Sequence, residues 1–371
     1  MKNRIDPGLI NIIAQIYNGD KTHLCINNEK QTTIDITNGV RQRCNGSTVL
    51  FLLMTYEIIQ KLEAEQIGFR NDKFKIPILY YADDGLLLSR SVEEATYSIN
   101  LIQDIAMQCG LQINKEKSNV LIYNQREQPD TIANVKTCSK IKYLGITIEN
   151  KRNCFKEHKK ERLIKAKQLA NMTYSITERS CNRLLVGKGY WKGVGLATTL
   201  YGAEIVDYTK EELNKLQCIE NKVYRCILQV PTYTANCALR SEVGATSTEA
   251  RDAKIKIMFA KHLLKDNGND LMREIFLEEY EKEKTTWIKQ LKVYLQDVKL
   301  TLREIKQVKK ENIITRIKEW DTSRWRRELE QKSTLSTYRK FKRNIEEESW
   351  IDNTEESNLM IRARTNTLSL N

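Results

Sequence analysis

No run of apolar residues in this chain approaches the roughly 18 that a membrane-spanning helix needs. The opening residues, MKNRIDPGLI, lack the apolar core of a secretory signal. Cysteine occurs nine times, yet there is no CxxC pair and no Cys/His cluster with zinc-site spacing. An odd number of thiols in 371 residues argues for reduced cysteines, not a disulfide framework. These absences point to a soluble intracellular protein, in cytoplasm, nucleus or both, with no membrane partner. Internal repeats and low-complexity linkers are also missing. The last proline is Pro231 and the last glycine Gly268, so the final hundred or so residues contain no strong helix breaker.

What is abundant is positive charge. Lys and Arg number 61 against 48 Asp and Glu, a formal +13 with a pI near 9.2. Such an excess suits a polyanionic partner, most simply nucleic acid, although a Lys-biased helical surface has the same composition. Hydrophobic residues make up 40%, enough for real cores, and the length suits two or three domains.

Strand-like runs crowd into the first 150 residues: THLCI (22–26), TTIDI (32–36), IPILYY (76–81), GLLLS (85–89), NVLIY (119–123) and YLGITI (143–148). A helix is predicted over 92–109, where Ala95, Ile99, Ile102, Ala106 and Cys109 recur at spacings of three and four. Ser91 with Glu94 reads as a capping box at its start, and Gly110 as its left-handed stop. From 151 the pattern turns helical and basic. Residues 151–170 carry eight Lys and Arg against two Glu. Trp287, Leu291, Tyr294 and Val298 again follow helical spacing. The expected organisation is α+β over 1–150, a basic helical domain over 151–250, and a charged helical extension over 251–371.

Asp83 and Asp84 stand between the apolar blocks ILYY and GLLL. Adjacent carboxylates repel and are costly beside a core unless paired or bound to metal. The pattern predicts a β-hairpin whose turn carries the acids. Asp-Gly at 84–85 is also an ordinary turn dipeptide, so the local sequence leaves open a plain polar turn or a hard-cation site. Mg²⁺ is typically held by one or two carboxylates plus substrate phosphates, and two such ions can stabilise phosphoryl transfer.

Four ordered segments then carry a resemblance: GVRQRCNGSTVLF (39–51) with its following helix, YADD (81–84), CGLQINKEKSNVLIYN (109–124) and KYLGITI (142–148). In this order they resemble the palm of reverse transcriptases, above all the non-LTR, LINE-type retrotransposon enzymes. The resemblance implies a right-hand polymerase palm, an antiparallel sheet with helices, followed by a helical thumb. It implies RNA-templated extension of a DNA primer with deoxynucleoside triphosphates, using Mg²⁺ or alternatively Mn²⁺. Asp83 and Asp84 would be the metal ligands, with Lys117 near the nucleotide's phosphates. Arg41, Gln42, Tyr81 and Ala82 would line the nucleotide, and Tyr143, Leu144 and Gly145 would form the primer grip. Lys151, Arg152, Lys156, Lys159 and Lys160, at the place of the thumb, would contact duplex phosphates. Each has a bland alternative: Gln42 as a loop residue, Lys117 with Lys115 in a solvated turn, Tyr143 and Leu144 as strand core. For 299–343, with fifteen Lys and Arg, the expectation is a charged helix face with Trp320 and Trp325 packed in a core.

The departures are equally specific. The family segment usually reads GVRQGCPLSP; here Arg43 replaces a glycine, Asn45-Gly46 replace Pro-Leu, and Thr48 replaces the second proline. Residues 6–40 resemble the family's connection after its first catalytic aspartate. Asp6, Asp20 and Asp35 are therefore expected to be poor substitutes for that residue. The expectation is a partial copy without the fingers, the first aspartate or an endonuclease region, ending before a Cys-rich segment, with impaired activity alone. The alternative is a non-catalytic nucleic-acid-binding protein.

Overall fold

The computed structural model describes residues 5–368 except 28, 37–38, 42–43, 71–72, 125–127, 266–268, 349 and 353. They fall into two compact units, Met1–Gly145 and Ile146–Asn371. No helix among the described residues is long and apolar enough to cross a membrane.

The first unit opens with α1 (Pro7–Tyr17), capped by Asp6, whose carboxylate accepts from the N–H groups of Gly8 (2.8 Å) and Leu9 (3.2 Å). Pro7 sits at the first turn, where its missing N–H costs nothing. An antiparallel hairpin follows, β1 (Lys21–Ile26) with β2 (Glu29–Asp35), then α2 (Asn45–Ala64). Next come two short hairpins: β3 (Phe69–Arg70) with β4 (Lys75–Ile76), and β5 (Ile78–Tyr81) with β6 (Asp84–Leu87). After α3 (Val92–Gln108) come β7 (Asn119–Leu121), β8 (Thr131–Ile132), β9 (Val135–Cys138) and β10 (Lys140–Tyr143). In the three-stranded sheet β9 is central, parallel to β7 and antiparallel to β8. The strands of this unit form small, mostly antiparallel ladders with one parallel pairing. One expectation changes here. YLGITI is not one strand, because Leu144 and Gly145 both take positive φ (47° and 79°) and turn the chain.

A small core joins α2 to α3 through Ile58, Leu62, Ile102 and Ile105, with Ile67 and Ile78 between them. The buried stripe of α3 is Ser98, Ile102, Ile105 and Ala106, rotated slightly from the predicted one. Ser91 caps α3 as expected, accepting from the Glu94 N–H at 3.1 Å, and Gly110 has φ 73°. The reciprocal half of the capping box is absent. The Glu94 carboxylate instead accepts from the N–H groups of Arg90 (2.8 Å) and Gly68 (3.0 Å).

The second unit starts with β11 (Ile146–Glu149) and is otherwise helical. Its first helices are α4 (Lys156–Glu178), α5 (Arg183–Tyr190), α6 (Leu196–Thr199) and α7 (Lys210–Leu228). A π-helical turn, Trp191–Gly195, lies between α5 and α6. Then come α8 (Asn236–Glu242), α9 (Thr248–Leu263), α10 (Asp270–Lys282), α11 (Thr286–Asp297) and α12 (Leu302–Gln307). The chain closes with α13 (Lys310–Glu330), α14 (Ser336–Phe341) and α15 (Glu355–Arg364). Ile361 of α15 packs in the same core as Leu213 and Val223 of α7, and Trp325 of α13 packs with Cys237 of α8. Ile146–Asn371 cluster as one compact unit. The tryptophans behave as expected. Trp325 is fully buried and donates to the Cys237 carbonyl at 2.9 Å, while Trp320 packs edge-on against Tyr294.

Candidate active site

The β5–β6 hairpin pairs Tyr81 with Asp84 and Tyr80 with Gly85, which leaves Ala82 and Asp83 as a two-residue turn. Ala82 takes φ 53°, a region that strains any residue with a Cβ by about 1–3 kcal/mol. Only Asp83 therefore lies in the turn; Asp84 begins β6, and Gly85 is a strand residue, not a turn residue. The glycine has a packing role: a Cβ there would meet the Tyr80 ring at 2.9 Å. Tyr80 packs against the α2–α3 core, and burial pushes its hydroxyl up to about 12. Tyr81, on the other face by strand alternation, is 66% exposed.

Asp83 and Asp84 are both exposed, and neither is engaged by a cation or a hydrogen-bond donor among the described residues. Burial, and then the Asp84 charge, raise the Tyr143 hydroxyl above its ordinary value. Tyr143 is the last residue of β10. Leu144 and Gly145 form the positive-φ turn beyond it.

Arg41, expected at the nucleotide, is exposed and engaged by the end of α1 and the turn after it. Its Nε meets Asp20 at 2.6 Å, its Nη2 donates to the Ile16 carbonyl at 2.8 Å, and its guanidinium lies 5.6 Å from the Tyr17 ring centroid. The hydrogen bond to Asp20 raises its pKa. Arg41 thus fastens this segment to the C-terminal end of α1. Gln42 and Arg43 lie outside the described residues. Lys117 is exposed on a turn built by Asn114, whose Oδ1 accepts the Lys117 N–H at 3.0 Å. The three upstream aspartates are all committed elsewhere: Asp6 caps α1, Asp20 holds Arg41, and Asp35 pairs with Lys21 at 3.3 Å. Among the described residues no group of three or more His, Cys, Asp or Glu is placed to hold a metal.

In the second unit, Lys151 is exposed 3.5 Å from Glu149, and Arg152 is exposed in the loop before α4. Lys156 and Lys160 are exposed on α4's first turns, the latter 3.9 Å from Glu157. Lys159 is a correction: its ammonium is buried, 3.1 Å from both Asp207 and Glu212, and donates to the Asp207 carbonyl at 2.5 Å. It braces the fold and is withdrawn from the phosphate-contact set.

The donor chemistry fits a hard cation. Two exposed carboxylates side by side at a hairpin are what one Mg²⁺ takes from protein when phosphates supply further oxygens. Two residues that position this tip escaped sequence reasoning. Gly68 (φ 106°) lies so close to the chain before β5 that a Cβ would fall 2.2 Å from Pro77 Cα. Glu94 ties Gly68 to α3. Only the positive-φ tolerance of glycine hints at the first in sequence, and the spacing of Glu94 from Ser91 suggests only a local cap. Residues 4–148 match the family model described as reverse transcriptase (RNA-dependent DNA polymerase), which supports a reverse transcriptase domain over that stretch.

Proposed function

We propose that the first unit is the palm portion of a non-LTR, LINE-type reverse transcriptase, with the second unit supplying the thumb and a helical extension. The observation that carries this is the exposed Asp83–Asp84 pair at the YADD hairpin. Asp83 and Asp84 would hold Mg²⁺, or Mn²⁺, together with the phosphates of an incoming deoxynucleoside triphosphate. A cation held there would supply neutralisation of the charge that develops on a transferring phosphoryl group. Tyr81 presents an exposed ring beside the turn and would line the nucleotide with Ala82, and with Gln42 from the upstream segment. Lys117 would approach the phosphates, and Tyr143 to Gly145 would hold the primer end against the RNA template. Lys151, Arg152, Lys156 and Lys160 would contact the duplex backbone, an interaction that weakens steeply with salt.

The test is primer extension on an RNA template with Mg²⁺. Asp83→Ala and Asp84→Asn should each lower extension by at least about 100-fold, more than the typical loss for an outer-shell partner of a metal ligand. Their melting temperatures should match the parent's, since both side chains are exposed. A second reading, a non-catalytic nucleic-acid-binding protein, is favoured by the two-carboxylate limit of the described metal-binding groups. It predicts salt-sensitive duplex binding with no extension in the parent, unchanged by either substitution.

A further inference from the structure

Residues 331–345 contain five Lys and Arg and no Asp or Glu. Lys342 is buried, held by Glu348 at 3.0 Å and the Glu346 carbonyl at 2.5 Å. The other four, Lys332, Arg339, Lys340 and Arg343, are exposed. Arg326, exposed on α13, donates to the Arg343 carbonyl at 3.2 Å and to Asn344 Oδ1 at 3.1 Å, so the segment is pinned against that helix. Arg339 donates to the Glu330 carbonyl at 3.0 Å, closing the end of α13 from the other side. Leu335 and Tyr338 are fully buried beneath. In this anchored cationic surface one large aromatic faces outward: Phe341, between Lys340 and Lys342, is 66% exposed.

We infer that the α13–α14 elbow is a binding site for single-stranded nucleic acid, with backbone phosphates on Arg326, Lys340 and Arg343 and a base stacked on Phe341. Stacking on an aromatic beside cations is the means by which single strands are held without sequence readout. A membrane surface fits less well, because binding there scales with apolar area and the elbow offers one apolar side chain. The site lies within the second unit and does not depend on the polymerase reading.

Fluorescence anisotropy of the full chain with a labelled uridine oligomer of about 12 nucleotides tests it. The double variant Lys340→Glu/Arg343→Glu should weaken binding at least about tenfold and reduce the log–log salt slope by about 1.4, at roughly 0.7 per lost phosphate contact. Phe341→Ala should weaken it about tenfold while leaving an abasic oligomer of equal length unaffected. Unchanged near-UV circular dichroism confirms that the variants fold, and Lys156→Glu/Lys160→Glu, which alters α4 instead, should leave the Phe341 effect intact. Parent-like binding by both elbow variants overturns the inference. So does an equal loss on the abasic strand. So does sedimentation with phosphatidylserine vesicles that the double variant abolishes while oligomer binding persists.

Discussion

The two units bury their side chains very differently. In the first, α1 and the β1–β2 hairpin contain no buried residue, and Ile12, Leu24 and Ile34 are each half exposed or more. In the second, successive cores run from α4 to α15, and charges are sequestered inside them: Arg240 with Asp321 at 2.7 Å, Lys256 with Asp252 at 2.5 Å. Around its small α2–α3 core the first unit adds individual polar ties: the Asp6 cap, the Arg41 clamp on α1 and the Glu94 tie to Gly68. The second holds its shape by burial, the dominant favourable contribution to folding. The candidate catalytic tip therefore belongs to the less densely packed unit, as mobile functional elements commonly do.

The sharpest way to break this contrast is at Asp321, which also accepts from the Ser247 N–H and hydroxyl. Asp321→Ala strands a buried arginine and should destabilise the second unit by about 3–5 kcal/mol. All five tryptophans lie in that unit, so urea unfolding followed by their fluorescence reads it alone. A loss under about 1 kcal/mol would show that the buried pair is not what it looks like. Leu291→Ala, at a fully buried position of α11, should cost about 2–5 kcal/mol in the same measurement.

In the first unit, Gly68→Ala forces a Cβ into Pro77 and should cost about 1–3 kcal/mol, read by hydrogen exchange of α3 amides. Primer extension should fall with it.

Acid separates the units next. In the second, hydrogen bonding from Arg364 holds the Glu348 carboxyl down at about 2, from an ordinary 4.5. A depressed carboxylate stabilises fully above its unfolded value, and that contribution is lost as pH falls from about 4.5 toward 2. Near-UV circular dichroism around Trp350 should change over that window. For Glu94, burial pushes upward, but the Arg90 and Gly68 N–H groups outweigh it and hold the carboxyl below its ordinary value. Its contribution is likewise lost as the medium becomes more acidic than the folded-state value. Smallest of all, Ile12→Ala should change stability by less than about 0.5 kcal/mol, because that side chain is 55% exposed.

Much of this was legible in sequence wherever chemistry and period agreed. The helix over 92–108, its Ser91 cap and Gly110 stop, and the hairpin around the aspartates all follow from local patterns. What stayed hidden depends on long-range partners. Nothing adjacent to Arg41 announces Asp20, 21 residues away, and nothing adjacent to Lys159 announces Asp207. A run of lysines reads as surface because its period is seen before its neighbours are known. Nothing in the sequence distinguishes Phe341, 66% exposed, from nearby Trp325, which is fully buried.

The two-residue turn at Ala82–Asp83 also works as a ruler. Because consecutive strand residues face opposite sides, inserting one residue after Tyr81 would shift the return strand by one place against β5. Tyr80 would no longer lie over Gly85, and the residues that now look outward from β6 would look in. A single-codon insertion at this point would thus exchange inside for outside along β6, while a conservative change at either end of the hairpin would leave the frame intact. Length, more than the chemical identity of the turn, keeps the carboxylates on the outside.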